Sequence, residues 1–404
     1  MPASLSLPEN PAVPVRTREA AAEGRLRIAL VCDWYLPRIG GIERHLAALA
    51  DQLHRAGHEI TVVTPMPETQ VAAGLRSQRV PTSLLPGATV MWSPRGFRHL
   101  GRLLRAGDFD VIHAHLSILS PAAIAAVYHA QKTGLPTLST THSVLGRFAP
   151  VFGWLHRRFG WGAWPVVYSG VSERVARDLQ PYVPRPVTVL PNAVDPRAWP
   201  AVQRLARRDA VAIACVMRLV PRKRGEILLR ALANVKAQLG DRRVVLHFAG
   251  DGPARRALER LTAHLGLTAM VRFHGSLQPP AIKRLLAEAD FFALPCRLEA
   301  FGIAALEARA TGLPVLAMAE SGVAEFVKHG TEGLLARDDA EFTRHLFTLC
   351  TDDAFRAQLG AHNVQTPIKQ TWDTLRELHL RAYAEARTLC ARVGDPAATQ
   401  TPRA

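Results

Sequence analysis

The sequence predicts an α/β protein made of two Rossmann-like, doubly wound domains that face each other across a cleft. Three observations carry that prediction. The chain has 404 residues and 48% hydrophobic content, enough for two compact domains with separate cores. Residues 27–64 read as strand, turn, helix, strand, and the same pattern restarts near Val211. A βαβ unit requires parallel strands joined by a crossover helix, so two such starts mean two parallel sheets.

In chain order, residues 1–24 are rich in Pro, Ala, Glu and Arg and lack the apolar block of a secretory signal, which predicts a disordered lead-in. Arg27 to Trp34 is a β-branched and apolar run. The turn Pro37-Arg38-Ile39-Gly40-Gly41 follows, and then a helix with Ile42, Leu46, Leu49 and Leu53 on one face. Gly57 stops that helix and Ile60 to Thr64 is the next strand. Pro191 to about Arg208 has little periodicity and reads as the linker, placing the first domain at 25–200 and the second at 201–370. In the second, a strand to Met217 leads through the basic loop Arg218 to Gly225 into a helix from Glu226 to about Leu239, then a strand Val244 to Ala249. Thr371 to Val393 is helical, with Trp372, Leu375, Leu378, Leu380 and Tyr383 as packing residues, and the Pro, Ala and Thr composition after Gly394 predicts a frayed tail.

Composition narrows the function classes. No apolar run approaches the ~18 residues of a membrane span; the nearest, Leu116 to Val127, is broken by Ser and Pro. The five cysteines (Cys32, Cys215, Cys296, Cys350, Cys390) are scattered, without metal or redox spacing, and are expected to be reduced and mostly buried. A net charge of +16 favours an anionic partner. No zinc-finger or RNA-binding signature accompanies it, so nucleic acid is not the expected partner.

Four places could carry chemistry. Gly40-Gly41 sits where strand becomes helix, where missing side chains let a ligand approach backbone N–H groups at the positive helix end; tight chain reversal alone would also need them. Arg218 and Lys223 follow the first strand of the second domain, at the sheet edge where open α/β sheets bind ligands, and could grip a diphosphate. Arg222 and Arg224 read as ordinary surface charge. The segment Cys296 to Ala308 puts Glu299 in a loop, the amides of Phe301, Gly302 and Ile303 at a helix start facing a phosphate, and Glu307 inside an otherwise apolar helix. A carboxylate there costs too much to be idle and can accept both hydroxyls of a ribose. His142 follows the strand Pro136 to Thr140, and His113 and His115 lie on the one before; on residues alone His142 divides between a structural and a functional role. Asp338-Asp339 and Asp352-Asp353 follow no clear strand, and no metal is expected.

From about Arg27 to Tyr383 the chain resembles glycosyltransferase family 4. The stretches YLPRIGGIERHLAALADQLHRAGHEITVVT, DVIHAHLSILSPAAIAAVYHAQKTGLPTLSTTHSVLG and VLPNAVDP carry the resemblance in their order and spacing. Within that family it leans toward the catalytic subunits that add N-acetylglucosamine to phosphatidylinositol in GPI-anchor synthesis. The resemblance implies a GT-B fold, with acceptor on the first domain, donor on the second, and a last helix (371–393) crossing back. It implies transfer with retention of configuration and without a metal, the nucleotide-sugar acting as co-substrate rather than cofactor. It assigns Glu299 to the donor sugar, Glu307 to the ribose, Arg218 and Lys223 to the diphosphate, His142 to the sugar ring, and Gly41 to the phosphate or acceptor. UDP-N-acetylglucosamine is the favoured donor, with GDP-mannose the alternative. Three departures from the family pattern stand out: Arg224 separates Lys223 from Gly225, Thr141 and Ser143 flank His142, and Ser321-Gly322 replaces a glycine pair before Glu325.

Between Gly146 and Pro165 the chain collects Phe148, Phe152, Trp154, Leu155, Phe159, Trp161 and Trp164 among Arg147, Arg157 and Arg158. Arg95 to Arg105 mixes Phe97, Leu100, Leu103 and Leu104 with four arginines at helical spacing. Such segments suit an anionic membrane surface presenting a lipid-linked acceptor, a small-molecule acceptor being the alternative. The expected location is cytoplasmic, peripheral on the inner face of the membrane. The competing readings are a binding protein that keeps the fold without catalysis, and a nucleotide-sugar epimerase of the same fold.

Overall fold

A computed structural model describes residues 24–38, 40–67, 69–81, 91, 93–118, 120–202 and 210–394. The predicted lead-in and tail lie almost wholly outside the described residues, as does part of the linker. Among the described residues the first sheet has seven parallel strands: β1 (Arg27–Cys32), β2 (Glu59–Thr64), β3 (Arg76–Arg79), β4 (Val111–Leu116), β5 (Thr137–Thr141), β6 (Val166–Gly170) and β7 (Thr188–Val189), in spatial order 3-2-1-4-5-6-7. The second has six: β8 (Ala210–Val216), β9 (Arg243–Ala249), β10 (Val271–Phe273), β11 (Phe291–Leu294), β12 (Val315–Met318) and β13 (Gly333–Ala336), in order 10-9-8-11-12-13. Both are doubly wound, and strand order reverses between β1 and β4 and again between β8 and β11.

Crossover helices of the first domain are α1 (Gly41–Arg55), α2 (Pro94–Ala106), α3 (Pro121–Thr133), α4 (Ala149–Phe159) and α5 (Glu173–Leu179). Those of the second are α6 (Gly225–Lys236), α7 (Arg255–His264), α8 (Pro279–Glu288), α9 (Ile303–Ala310), α10 (Asp339–Thr351) and α11 (Asp353–Gln365); α12 (Trp372–Gly394) ends the described chain. The α1 stripe falls as its spacing predicts: Leu46, Leu49 and Leu53 are buried, and Gly57 past the helix end takes a positive φ of 93°. On α2, Leu100 and Leu104 face inward while Arg95, Arg98, Arg102 and Arg105 are exposed. The acidic pairs have helix-end roles. Asp338 accepts from the Glu341 amide at the start of α10, and Asp352 from the Phe355 amide at the start of α11.

The two domains share apolar contacts. Val144 and Leu145 after β5, with Val171, Val175 and Leu179 around α5, are continuous with the core of the second domain. Across the same seam the Glu325 carboxylate accepts from the Glu173 and Arg174 amides at the start of α5, at 2.9 and 3.1 Å. A carboxylate suits the positive end of that short helix. Helix α12 leaves the second domain and packs on the first, where Trp372, Leu375, Ala382, Tyr383 and Ala386 join Ile28, Leu30, Leu49, Leu53 and Val167 in one buried cluster. A fully buried large apolar side chain contributes about 1.5–3 kcal/mol, so α12 is held as firmly as a core helix. Four of the five cysteines are buried, Cys390 partly so.

Candidate active site

Four strand ends build the site. β1 delivers the turn to α1, β5 delivers His142, β8 delivers the loop to α6, and β11 delivers the loop to α9. All four lie at carboxyl ends, β1, β8 and β11 at the two order reversals, where an open parallel sheet leaves a crevice, and β5 next to β4 beyond the first of them. Between them lies a cleft of about 700 Å³ lined by both domains. Every residue singled out by sequence is on its wall: Gly40, Gly41, His142, Arg218, Lys223, Glu299, Phe301, Gly302, Ile303 and Glu307.

On the second-domain wall, Gly302 precedes α9 with φ 96°, and a Cβ there would come 2.7 Å from Val323 Cγ2, so only glycine fits. The Phe301, Gly302 and Ile303 amides therefore start α9 against the cleft, at the positive end of its dipole. The Lys223 ammonium is paired with the Glu299 carboxylate, both mostly buried. Arg218 and Arg222 are exposed within the cleft. Glu307 is 9% exposed, and burial pushes its carboxyl up to about 7 against the opposing fields of Arg44 and Lys283. Arg44 belongs to α1, so the two domains already meet electrostatically at this carboxylate.

On the first-domain wall, Gly40 is extended, and a Cβ there would sit 2.9 Å from the Glu43 carboxyl carbon. Glu43 in turn pairs with Arg38 at 3.2 Å, and the Arg38 guanidinium lies 4.7 Å from the Trp34 ring centroid. The start of α1 thus already carries a carboxylate, a refinement of its reading as a bare anion site. Gly41 keeps the approach open, since a Cβ there would lie 3.5 Å from Ile303 Cδ1 across the cleft. His142 is buried, its backbone amide donating to the Leu116 carbonyl at 2.8 Å. Burial, with His379 nearby, pushes its imidazole down to about 3, so it is neutral at physiological pH.

The structure corrects two sequence readings. Arg224 is not ordinary surface charge: it pairs with Asp339 at 2.6 Å and donates to the Pro295 carbonyl, tying the α6 and α9 loops together. Arg222 lines the cleft. The aromatic run divides. Phe152 packs on the core, and Trp161 and Trp164 join the cluster around Tyr168, while Val151, Trp154 and Phe159 are exposed. The sequence reading missed Asn192, buried on the cleft wall with Oδ1 unpartnered among the described residues, and the Trp34, Arg38 and Arg44 group. It also missed the company His142 keeps: His45, His113, His115 and His379 are buried around it. Among the described residues no three His, Cys, Asp or Glu side chains converge as metal ligands, and no helix is long and apolar enough to cross a membrane.

Comparison with known proteins agrees with this geometry. Residues 39–198 match the family described as Glycosyltransferase Family 4, and residues 201–365 match Glycosyl transferases group 1. A GDP-mannose-dependent alpha-(1-6)-phosphatidylinositol monomannoside mannosyltransferase of Mycobacterium tuberculosis is 30% identical over 387 residues, covering 86% of this chain and 96% of that protein. A human phosphatidylinositol N-acetylglucosaminyltransferase subunit is 29% identical over 74% of this chain and 63% of its own length. Anabaena HepE, solved with UDP and glucose, superposes with a TM-score of 0.71 at 19% identity, over 89% of this chain and all of that one. WaaG, a glycosyltransferase involved in lipopolysaccharide biosynthesis, gives 0.68 at 18% identity over 87% and 98%. The chain belongs to glycosyltransferase family 4, and its fold is the GT-B arrangement.

Proposed function

We propose that this protein is a retaining glycosyltransferase that needs no metal and moves a sugar from a nucleotide-sugar onto a lipid-linked acceptor. The observation that carries the reading is Glu307, a buried carboxylate on the cleft wall with no hydrogen-bond partner among the described residues. Two vicinal ribose hydroxyls would satisfy both its oxygens. Next to it, the helix start at Phe301 to Ile303, Arg218 and Lys223 supply the positive field that the departing diphosphate needs, without a divalent ion as the source.

In the reaction, the bond from the anomeric carbon to the diphosphate oxygen breaks and a bond to the acceptor hydroxyl oxygen forms. The hydroxyl proton leaves with the nucleoside diphosphate. Glu299, held by Lys223, faces the sugar from the second domain and His142 from the first. The donor is a UDP- or GDP-sugar, with UDP-N-acetylglucosamine and GDP-mannose the two candidates that the resemblance and the relatives' names support. A lipid-linked acceptor is supported by the names of both curated relatives. It is also supported by the exposed residues of the first domain, which include Ile124 and Tyr128 on α3, Val151, Trp154, Arg157, Arg158 and Phe159 on α4, and the four arginines of α2. Ring contacts from Phe97 on α2 to Tyr128 on α3 and on to Trp164 put α2 and α3 beside the segment that follows α4. Such exposed apolar and basic side chains suit peripheral docking on an anionic bilayer.

The test is turnover with a panel of UDP-, GDP- and ADP-sugars in EDTA, using phosphatidylinositol vesicles and soluble inositols as acceptors. Expected is nucleoside diphosphate release with one donor, and a product whose anomeric proton coupling matches that donor. Inverted product, or turnover abolished by EDTA and restored by a divalent ion, overturns the corresponding part of the proposal. Nucleotide binding without turnover would favour the binding-protein alternative.

A further inference from the structure

The first turn of α5 meets the second domain through bonds that have a direction. Glu325 accepts from the Glu173 and Arg174 amides, while Ser172 Oγ accepts from the Val175 amide at 3.1 Å. A helix leaves its first N–H groups without partners inside the helix. Of these three, its own domain satisfies one and the other domain satisfies two. The Arg174 guanidinium also donates to the Glu320 carbonyl. Apolar burial along the seam, at Val144, Leu145, Val175 and Leu179, is non-directional and lets the domains slide. Two charge-assisted bonds from one carboxylate to a fixed pair of amides set the register instead.

Both sides of this contact lead to the cleft. On the first domain, the Val171 amide just before α5 donates to the Thr141 carbonyl at 3.2 Å, and Asp178 on α5 accepts from the Leu145 amide at 3.0 Å. These two bonds straddle His142. On the second domain, residues 319–326 pack on the loop that carries Glu299. The Gly322 amide donates to the Glu299 carbonyl at 2.9 Å, and a Cβ on Gly322 would lie 2.8 Å from Phe301 Cα, so the two segments touch at the backbone. The Phe326 and Phe301 rings lie 5.1 Å apart, and Arg297 donates to the Glu320 carboxylate at 3.1 Å. Ser321, which departs from the family's glycine pair, turns its hydroxyl away to the Met318 carbonyl at 2.6 Å and leaves this packing undisturbed.

We infer that Glu325 is a positioning residue: docked on the first turn of α5, it fixes the spacing between His142 on one wall of the cleft and Glu299 on the other, and so the width of the sugar pocket. This rests on the transferase reading for its catalytic consequence, though the spacing itself does not. On that reading the nucleotide is held by the second domain, whose own contacts between 319–326 and the Glu299 loop survive loss of the Glu325 side chain. Transfer of the sugar needs both walls. Loss of Glu325 therefore acts on kcat and on the sugar's share of donor affinity, and spares the affinity for nucleoside diphosphate.

The test uses the full-length protein and pairs Glu325→Ala with Glu173→Pro. Proline suits the first position of a helix and removes one of the two donors while Glu325 stays. Ser172 before it is already extended, at φ −163° and ψ 160°, as a residue preceding proline must be. Spacing is read from spin labels on the exposed positions of Arg102→Cys and Ala257→Cys, with Cys390→Ser removing the cysteine that is only partly buried. Expected is one narrow label distance in the parent, broadened in both variants. Glu325→Ala should lower kcat about 10- to 100-fold and Glu173→Pro less, with the nucleoside diphosphate Kd from calorimetry changed less than about twofold. The double variant should be no worse than Glu325→Ala alone, because both changes act through one contact. The inference is overturned by parental spacing or parental kcat in Glu325→Ala, by nucleoside diphosphate affinity falling as far as kcat, or by additive losses in the double variant. Glu173→Pro decides on the same readings should Glu325→Ala fail to fold. If the parent transfers no sugar from any donor, the transferase reading fails while the label distances still decide the spacing.

Discussion

Replacing Glu307 with Gln should stabilise the donor-free protein while abolishing its response to donor. The folded state raises this carboxyl from its ordinary 4.5 to about 7, chiefly by burial. Folding therefore holds the proton more tightly than the unfolded chain does, and stability falls as pH rises from about 5 through 7. Above pH 7 the ionised carboxylate costs the folded state about 3 kcal/mol. Glutamine has the same shape and no charge, but it buries an amide at a cost of about 1 kcal/mol. About 2 kcal/mol of net gain remains, or about 4–8 °C in Tm for a domain of this size. Thermal unfolding at pH 8 should show that gain, and at pH 5, where the parent carboxyl is already protonated, the two proteins should unfold within about 2 °C. A saturating donor should raise the Tm of the parent and leave that of Glu307→Gln nearly unmoved. Parallel Tm–pH curves for the two proteins, or equal stabilisation of both by donor, would refute the assignment of Glu307 as a ribose-binding carboxylate kept partnerless for the ligand.

The same carboxyl sets the pH dependence of binding: ribose hydroxyls favour the ionised form, so donor affinity measured by calorimetry should rise between pH 6 and 8 in the parent and stay flat in Glu307→Gln. Lys223→Ala and Arg218→Ala should each weaken donor binding about 10- to 100-fold, the worth of a charge-assisted hydrogen bond to a diphosphate; Tm should change little for the exposed Arg218 and fall for Lys223, whose loss leaves the mostly buried Glu299 carboxylate unpaired. Glu325→Ala removes the carboxylate that ties the second domain to the start of α5; a severalfold loss of donor affinity with a stability change under about 1 kcal/mol is expected, since the site is partly exposed. The pair Trp154→Ala and Phe159→Ala should reduce co-sedimentation with anionic vesicles while leaving turnover on a soluble acceptor intact.

The features legible in sequence are those set by local pattern. The alternation in Arg27 to Cys32, the stripe on α1, and the restart at Val211 depend on residues close in the chain, and the strands and helices fell within a few residues of their predicted ends. Glu307 could be singled out because a carboxylate in an apolar helix is conspicuous without any tertiary knowledge. What escaped were the relations between distant segments. Arg224 looked like its neighbours until the fold brought Asp339 to it, 115 positions on. Glu325 gave no sign that its partners would be the amides of Glu173 and Arg174. His113 and His115 could be placed on a strand, but not the arrival of Tyr383 and His379 from α12, which makes a pair of strand histidines into an enclosed assembly. In the aromatic run, sequence identified an amphipathic segment, and the sheet decided which rings turned inward.

The central claim is that the cleft binds a nucleotide-sugar with the diphosphate at the start of α9 and the ribose on Glu307. A crystal structure of the protein with its turned-over nucleotide, grown in EDTA, tests it most directly. The account predicts the diphosphate against the Phe301, Gly302 and Ile303 amides, Arg218 and Lys223, with both ribose hydroxyls donating to Glu307. A nucleotide bound elsewhere in the molecule, or in the cleft with its ribose away from Glu307, would contradict it.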